Sequence, residues 1–270
     1  MRKPVTFTLQ LAFTLLVCAF LLVPVILSML AGVTANFFQG LGSGLTLRWI
    51  GEVWGLYADT IFLSLLIAGS CLIVTLVIGV PAAYVLARQG GRLARIIEET
   101  IVLPIAVPGL AIALALIVTY GGIREFRISW AFILVGHVLY TLPFMVRSVL
   151  AVLSSIRFRE LEEGAASLGA SFWQRLWTVV LPNARPGILA GSLMVVTLSV
   201  GEFNLTWMLH TPMTKTLPVG LADSYASMRL EVASAYTLVF FIMIMPLLAA
   251  MQMLGRERRV RQPQNTSTRP

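Results

Sequence analysis

No charged side chain occurs between Lys3 and Arg48, and none between Thr60 and Ala87. Uncharged runs of this length constrain the chain more than any other feature, because about 20 apolar helical residues suffice to cross the hydrocarbon core of a bilayer. Inside that core every backbone N–H and C=O must be satisfied within its own segment, so the runs read as membrane-spanning helices. Charged residues make up only 12% of the sequence, against roughly 25% in a soluble domain. The expected fold class is therefore an all-α integral membrane protein.

Six spans are expected, over about 7–30, 60–87, 100–120, 130–150, 188–209 and 232–254. Residues 1–255 then form a single transmembrane domain, followed by a basic and polar tail over 256–270. The N-terminal run is too long for a signal peptide and lacks a small-x-small cleavage site, so it is expected to be a retained span. Trp49, Trp54 and Tyr57 mark a short interfacial element over 48–57. In the third span Pro104 and Pro108, in L-P-I-A-V-P-G, each remove a helical hydrogen bond and should bend the segment. Such a bend is tolerated where protein or water re-satisfies the freed carbonyls, so this stretch is expected to line the interior.

Basic residues set the orientation. With the N-terminus inside, the inner side carries Arg2, Lys3, Arg88, Arg92, Arg95, Arg157, Arg159, Arg175, Arg185 and the arginines of the tail. The outer side has only Arg48, Arg124, Arg127, Lys215 and Arg229. Both termini are thus expected to be cytoplasmic. The net charge of +8 is topogenic and gives no reason to expect a nucleic-acid partner. Cys18 and Cys71 lie inside apolar runs without metal-ligand spacing, so both are expected to pack in the core and no metal site is expected. His137, in the fourth span, reads as a helix–helix hydrogen-bonding group.

Between the fourth and fifth spans lies E-L-E-E-G-A-A-S-L-G-A-S-F-W-Q-R-L-W-T-V-V-L-P-N-A-R-P-G, residues 160–187. Leu161, Ala165 and Leu168 recur with helical spacing. Glu162 and Glu163 suit a first turn. Gly169 can end that helix in a left-handed conformation. Ser171 and Gln174 form a capping-box pattern that starts a second helix. There Phe172, Trp173, Leu176, Trp177 and Val180 make an apolar stripe, expected to pack against neighbouring helix ends, and Pro182 is expected to terminate the piece. Taken alone, such a hairpin is equally an interfacial element lying in lipid headgroups.

The register of this hairpin resembles the cytoplasmic EAA loop of the membrane subunits of binding-protein-dependent ABC importers: Glu-Ala-Ala, three residues, Gly, nine residues, Ile-x-Leu-Pro. Glu163, Gly164, Ala165, Gly169, Val179, Leu181 and Pro182 stand at those spacings, with Gly164 in place of the first Ala and Val179 in place of Ile. The resemblance implies a type I importer (MetI-like) permease fold in a bacterial inner membrane. It implies a coupling segment of Glu163, Gly164, Ala165, Ala166, Gly169, Leu181 and Pro182 that docks in an ATPase groove. The implied partners are two ATPase subunits, a second permease (identical or related), an external solute-binding protein and membrane lipid. No G-x-x-x-x-G-K-[ST] loop occurs, so ATP and Mg belong to the partner chains, and this chain is expected to be non-catalytic with no cofactor of its own.

Glu202, in S-V-G-E-F-N-L-T-W-M, is an ionisable group within an apolar run. Such groups usually face a pathway or a polar partner. Glu202, Asn204, Pro104 and Pro108 are thus candidate pathway or gate residues, with a structural acceptor role for Glu202 as the alternative. On an ideal helix Asn204 would lie about 200° from Glu202. The segments L-P-I-A-V-P-G-L and T-L-P-V-G-L resemble the importer branch for polyamines, phosphonates, iron, sulfate and thiamine. That points to a small organic solute resembling 2-aminoethylphosphonate or a polyamine, with sulfate, iron or thiamine as alternatives. A rival class is an ATP-independent carrier or channel whose hairpin is only interfacial; another is a scaffold that recruits a soluble partner.

Overall fold

A computed structural model describes residues 4–256 of the chain, with side chains over 7–253; the tail expected over 256–270 lies outside these apart from the backbone of Arg256. The described residues are almost entirely helical: α1 (Pro4–Ala31), α2 (Arg48–Gln89), α3 (Gly91–Ala106), α4 (Gly109–Tyr120), α5 (Arg124–Arg127), α6 (Trp130–Ser155), α7 (Phe158–Ser167), α8 (Phe172–Arg175), α9 (Leu181–Gly201), α10 (Asn204–Leu209), α11 (Leu217–Ala226) and α12 (Leu230–Arg256). A π turn, Leu176–Val180, joins α8 to α9. Among these residues five helical stretches are long and apolar enough to cross a membrane, and a sixth is obtained if α3 and α4 count as one broken span.

Two of the expected spans differ in form. The third was expected as one segment over 100–120; instead α3 begins at Gly91, and α3 and α4 meet at a bend of 102°. Pro108 explains the break. Its ring disfavours the helical conformation at the preceding residue, and Val107 is extended (φ −89°, ψ 128°). Pro104 is accommodated inside α3, whose residues are all at least partly exposed on this chain. The fifth span, expected over 188–209, is interrupted after Gly201, where α9 ends, and resumes at Asn204 as α10.

The chain forms two compact units. One comprises residues up to Ile67, Ala113–Ile133 and Val200–Ile244; the other comprises Ala68–Ile112, Leu134–Ser199 and the residues from Met245 on. In the first, Val53, Ile61, Leu217, Val232 and Tyr236 make a buried apolar cluster. Gly32 seats α1's end against α12, since a Cβ there would fall 2.6 Å from the Ala235 nitrogen. The Arg229 guanidinium bonds Glu52 and donates to Tyr57 Oη at 2.7 Å, and the Glu52 carboxylate holds it above the usual arginine range.

In the second unit Cys71, Met145, Val149, Leu153, Phe158 and Val195 belong to one core. Gly187 and Gly191 of α9 let that helix approach α6: a Cβ on Gly187 would lie 2.5 Å from the Ser148 carbonyl oxygen, and one on Gly191 2.8 Å from Met145 Sδ. Small residues four apart on a membrane helix have this packing role generally. His137 Nδ1 and Ser199 Oγ, 2.8 Å apart, bridge α6 and α9, the helix–helix role its setting suggested. Cys71 is buried with its sulfur 3.1 Å from Thr141 Oγ1, but Cys18 is exposed. Its expected core position fails because none of the most apolar window of α1 is buried by the rest of the chain.

Candidate functional site

The connection from α6 to α9 is built by local rules. Two residues follow α6 before α7 begins at Phe158. Phe158 and Glu162, one helical turn apart, are the buried residues of α7. At its end Gly169 takes φ +83°. The Gly169 N–H donates to Ala166 O at 2.9 Å and the Ala170 N–H to Ala165 O at 3.1 Å, the paired bonds of a Schellman cap that only glycine accommodates at low cost. Ser171 then opens the second helix: its N–H donates to Gln174 Oε1 at 2.8 Å, and the Gln174 N–H donates to Ser171 Oγ at 3.4 Å. Both capping devices stand where the sequence placed them.

Glu162, only 3% exposed, is the polar centre of this region. Its Oε1 accepts from Tyr84 Oη at 2.8 Å and from Arg175 Nη1 at 3.2 Å, and its Oε2 lies 3.5 Å from Arg88 Nε. Tyr84 and Arg88 belong to α2, Arg175 to α8. The Tyr84 ring packs edge-on against Phe158 and Phe172, with centroids 5.9 and 6.3 Å away. A buried carboxylate is tolerable only when it is paired and hydrogen-bonded in this way. So α7 is fixed through Glu162, while its neighbour Glu163 is exposed. Sequence reading placed both glutamates in the first turn and singled out Glu163. Instead α7 begins at Phe158 with Glu160 as the acid of its first turn, so Glu162 and Glu163 lie one turn later. The i, i+4 spacing of Phe158 and Glu162 was the available sign of the buried face.

Fixing that face turns the other outward. Glu163, Gly164, Ala166, Ser167 and Gly169 are exposed, Ala165 is half-buried and Leu168 is 90% exposed. The result is a small-residue helical surface bordered by a carboxylate and a leucine, unpartnered among the described residues.

Two expectations for the second half of the hairpin are corrected. Pro182 does not end the helix, which continues from Phe172 to Gly201. The π turn makes room for it: the Leu181 N–H bonds Leu176 O, five residues back, and Asn183 Nδ2 donates to the Val179 carbonyl at 2.7 Å. The wider turn absorbs the missing proline N–H. The aromatic stripe does not pack as a unit either. Val180 is buried and Leu176 half-buried, but Trp173 and Trp177 are each 65% exposed. The buried face follows Arg175, Leu176 and Val180, because Arg175 must reach Glu162. Leu181 is half-buried and Pro182 exposed.

The other candidate residues occupy the interrupted helices. Glu202 lies between α9 and α10 with both carboxylate oxygens engaged: Oε1 accepts the Leu205 N–H at 2.9 Å, and Oε2 accepts the Thr206 N–H and hydroxyl, each at 2.9 Å. This caps α10, supplying acceptors for N–H groups that a helix start leaves free. Its neighbours Gly201 and Phe203 line an apolar cavity of about 320 Å³ with Leu217, Leu221 and Phe240. Asn204 is exposed. Pro104 is half-buried and Pro108 exposed at the α3–α4 bend; they belong to the second unit, and Glu202 and Asn204 to the first.

Comparison with known proteins places this geometry. Over 191 residues the chain is 31% identical to the molybdenum transport system permease protein ModB of Azotobacter vinelandii, covering 65% of this chain and 83% of that one. Over 246 residues it is 26% identical to the putative 2-aminoethylphosphonate transport system permease protein PhnV of Salmonella typhimurium, covering 90% of this chain and 92% of that one. Its fold is similar to a chain of a bacterial ABC transporter involved in the import of the acidic polysaccharide alginate, with a TM-score of 0.71 at 18% identity, covering 94% of this chain and 98% of that one. Residues 76–260 match the model of the family described as binding-protein-dependent transport system inner membrane component, so the chain belongs to that family of multi-pass ABC transport permease subunits.

Proposed function

We propose that this chain forms part of the membrane pathway of an ATP-driven importer and is coupled to ATPase subunits through α7 and the Gly169 turn. The observation that carries the reading is the division of labour within α7: Glu162 anchors the helix while the surface from Glu163 to Leu168 is left for a partner. Ala165, Ala166 and Gly164 allow a partner backbone to approach closely, and Glu163 offers a carboxylate to a basic side chain. Leu181 and Pro182 carry the second helix from the hairpin into α9, so a push on α7 reaches that helix through Arg175 and the π turn. The distribution of basic residues supports a cytoplasmic hairpin with both termini on the same side.

In the working cycle, ATP binding draws two ATPases together. The hairpins of this permease and of a second, identical or related, permease then approach, and rigid-body motion opens the spans toward an external binding protein. ATP and Mg reside on the ATPases. Glu202, Asn204, Pro104 and Pro108 stand at the two interruptions of helical structure, and we assign those breaks to the translocation pathway or its gate. The Glu202 cap fits this role, because it satisfies the broken backbone without a neighbouring helix. For substrate we favour a small phosphonate such as 2-aminoethylphosphonate, because the PhnV relative aligns along nine-tenths of this chain; sulfate- or molybdate-like oxyanions are the second choice, and the polyamine, iron and thiamine alternatives draw no support from these relatives.

The test is reconstitution of the permease with its ATPase and binding protein in proteoliposomes. Uptake of radiolabelled 2-aminoethylphosphonate that requires internal ATP, and is not competed by sulfate, is expected. Uptake that proceeds without the ATPase would overturn the coupling reading; ATP-dependent uptake of another solute would overturn only the substrate.

A further inference from the structure

A second feature lies apart from the coupling surface and from the helix breaks. Where α2 turns into α3, a cavity of about 410 Å³ is lined by residues of α2, α3, α6 and α7, including Arg95, Arg147 and Arg159, with Ser154 and a single acid, Glu98. All of these belong to the second unit. Three guanidinium groups and one carboxylate leave about two positive charges facing one space. Neither Arg95 nor Arg147 makes an ion pair or hydrogen bond with another described residue. Arg159 is held by its Nε, which donates to Ala87 O at 3.2 Å. Its guanidinium crosses Gly90, where a Cβ would lie 2.0 Å from Nη2. Gly90 therefore serves two purposes: it takes φ +58° to reverse the chain, and its missing side chain admits Arg159 to the cavity. The first turn of α3, a 16-residue helix, lines the same space through Gly91 and Ala94, which adds the favourable end of a helix dipole for an anion.

Lone arginines at the inner end of a membrane protein need only reflect topology. Three of them brought from three helices around one cavity, two without a partner among the described residues and one admitted by a glycine, go further. We infer that this cavity binds a phosphoryl-type dianion, held by Arg95, Arg147 and Arg159 and assisted by the Ser154 hydroxyl. Planar guanidinium groups recognise such oxygens in pairs, and two net positive charges match a dianion. The same chemistry is offered by the headgroup of a dianionic phospholipid and by free phosphate or phosphonate in the aqueous phase. The inference does not depend on the transport reading.

The test uses the full chain and two double variants of equal charge change: Arg95→Gln with Arg147→Gln, which removes two of the three cations lining the cavity, and Arg92→Gln with Arg124→Gln, which removes exposed arginines outside it. In one arm, delipidated protein in neutral detergent is titrated with inorganic phosphate and followed by thermal unfolding. In the other, protein extracted from bilayers containing cardiolipin, whose headgroup carries two phosphodiester charges, is weighed intact by native mass spectrometry for retained lipid. Binding weakened roughly ten-fold or more in the cavity variant, as expected for the loss of charge-assisted hydrogen bonds, and unchanged in the control variant, supports the site. The arm in which this occurs identifies the source of the anion. Equal behaviour of wild type and cavity variant in both arms overturns it, as does equal weakening in the control variant.

Discussion

Tyr84 Oη donates to Glu162 Oε1 at 2.8 Å, joining the end of α2 to the middle of α7 across 78 positions of sequence. With Arg175 on the same carboxylate oxygen, this makes α7 part of the helix ends around it rather than a loop lying on them. Replacing Glu162 by Ala strands Arg175, whose side chain is 16% exposed. Removing one member of a buried pair costs about 3–5 kcal/mol, and the half-exposed Arg88 lowers that toward about 3 kcal/mol. Tyr84→Phe, which removes one neutral donor, should cost about 1–2 kcal/mol. Thermal unfolding of the purified variants in one detergent should rank them in this order.

Gly169 is open on all sides, with nothing within 4 Å of a Cβ placed on it, yet its φ is +83°. Gly169→Ala should therefore fold with a penalty of about 1–2 kcal/mol from the left-handed backbone. Gly169→Asp and Glu163→Arg, which alter the exposed surface, should leave the protein in the membrane but abolish binding-protein-stimulated ATP hydrolysis in the reconstituted complex. Full stimulation in both would detach this surface from coupling.

Glu202→Ala removes the acceptors of two backbone N–H groups and of the Thr206 hydroxyl, a loss of about 1–2 kcal/mol by analogy with other helix caps. Amide exchange at Leu205 and Thr206 should accelerate. Glu202→Gln, which keeps one acceptor oxygen, should impair uptake while complex assembly remains normal. Faster exchange with unchanged uptake would leave Glu202 as a cap without a pathway role.

Gly187→Ala should be poorly tolerated, because its Cβ would stand 2.5 Å from the Ser148 carbonyl oxygen and backbone must move. Overpacking of this kind costs typically about 1–3 kcal/mol. Gly164→Ala, with open space around it, should be neutral or slightly stabilising in the same melting assay.

What sequence reading reached and missed follows from the range of the forces involved. The uncharged runs and the Gly169 and Ser171–Gln174 caps depend on neighbours within a few positions, and all were legible. Glu162 and Glu163 are chemically identical and adjacent; only Tyr84, far away in sequence, distinguishes the buried one. Pro182 was read as a terminator because the rule assumes an α-helical register, and the π turn changes that register. Gly187 and Gly191 carried a legible sign in their four-residue spacing, which marks close helix approach. Trp173 and Trp177 looked like core by composition, but Arg175 turns between them to reach Glu162 and carries them outward.

The central claim is that the face of α7 opposite Glu162 is the seat of an ATPase. A photo-crosslinking amino acid at Leu168, the most exposed large side chain of that face, tests it most directly, with the equally exposed Met213 of the other unit as control. In membranes holding the assembled transporter, irradiation should join the ATPase to this chain from position 168 and not from position 213. Absence of an ATPase adduct at 168, or equal adducts at both positions, would contradict the account.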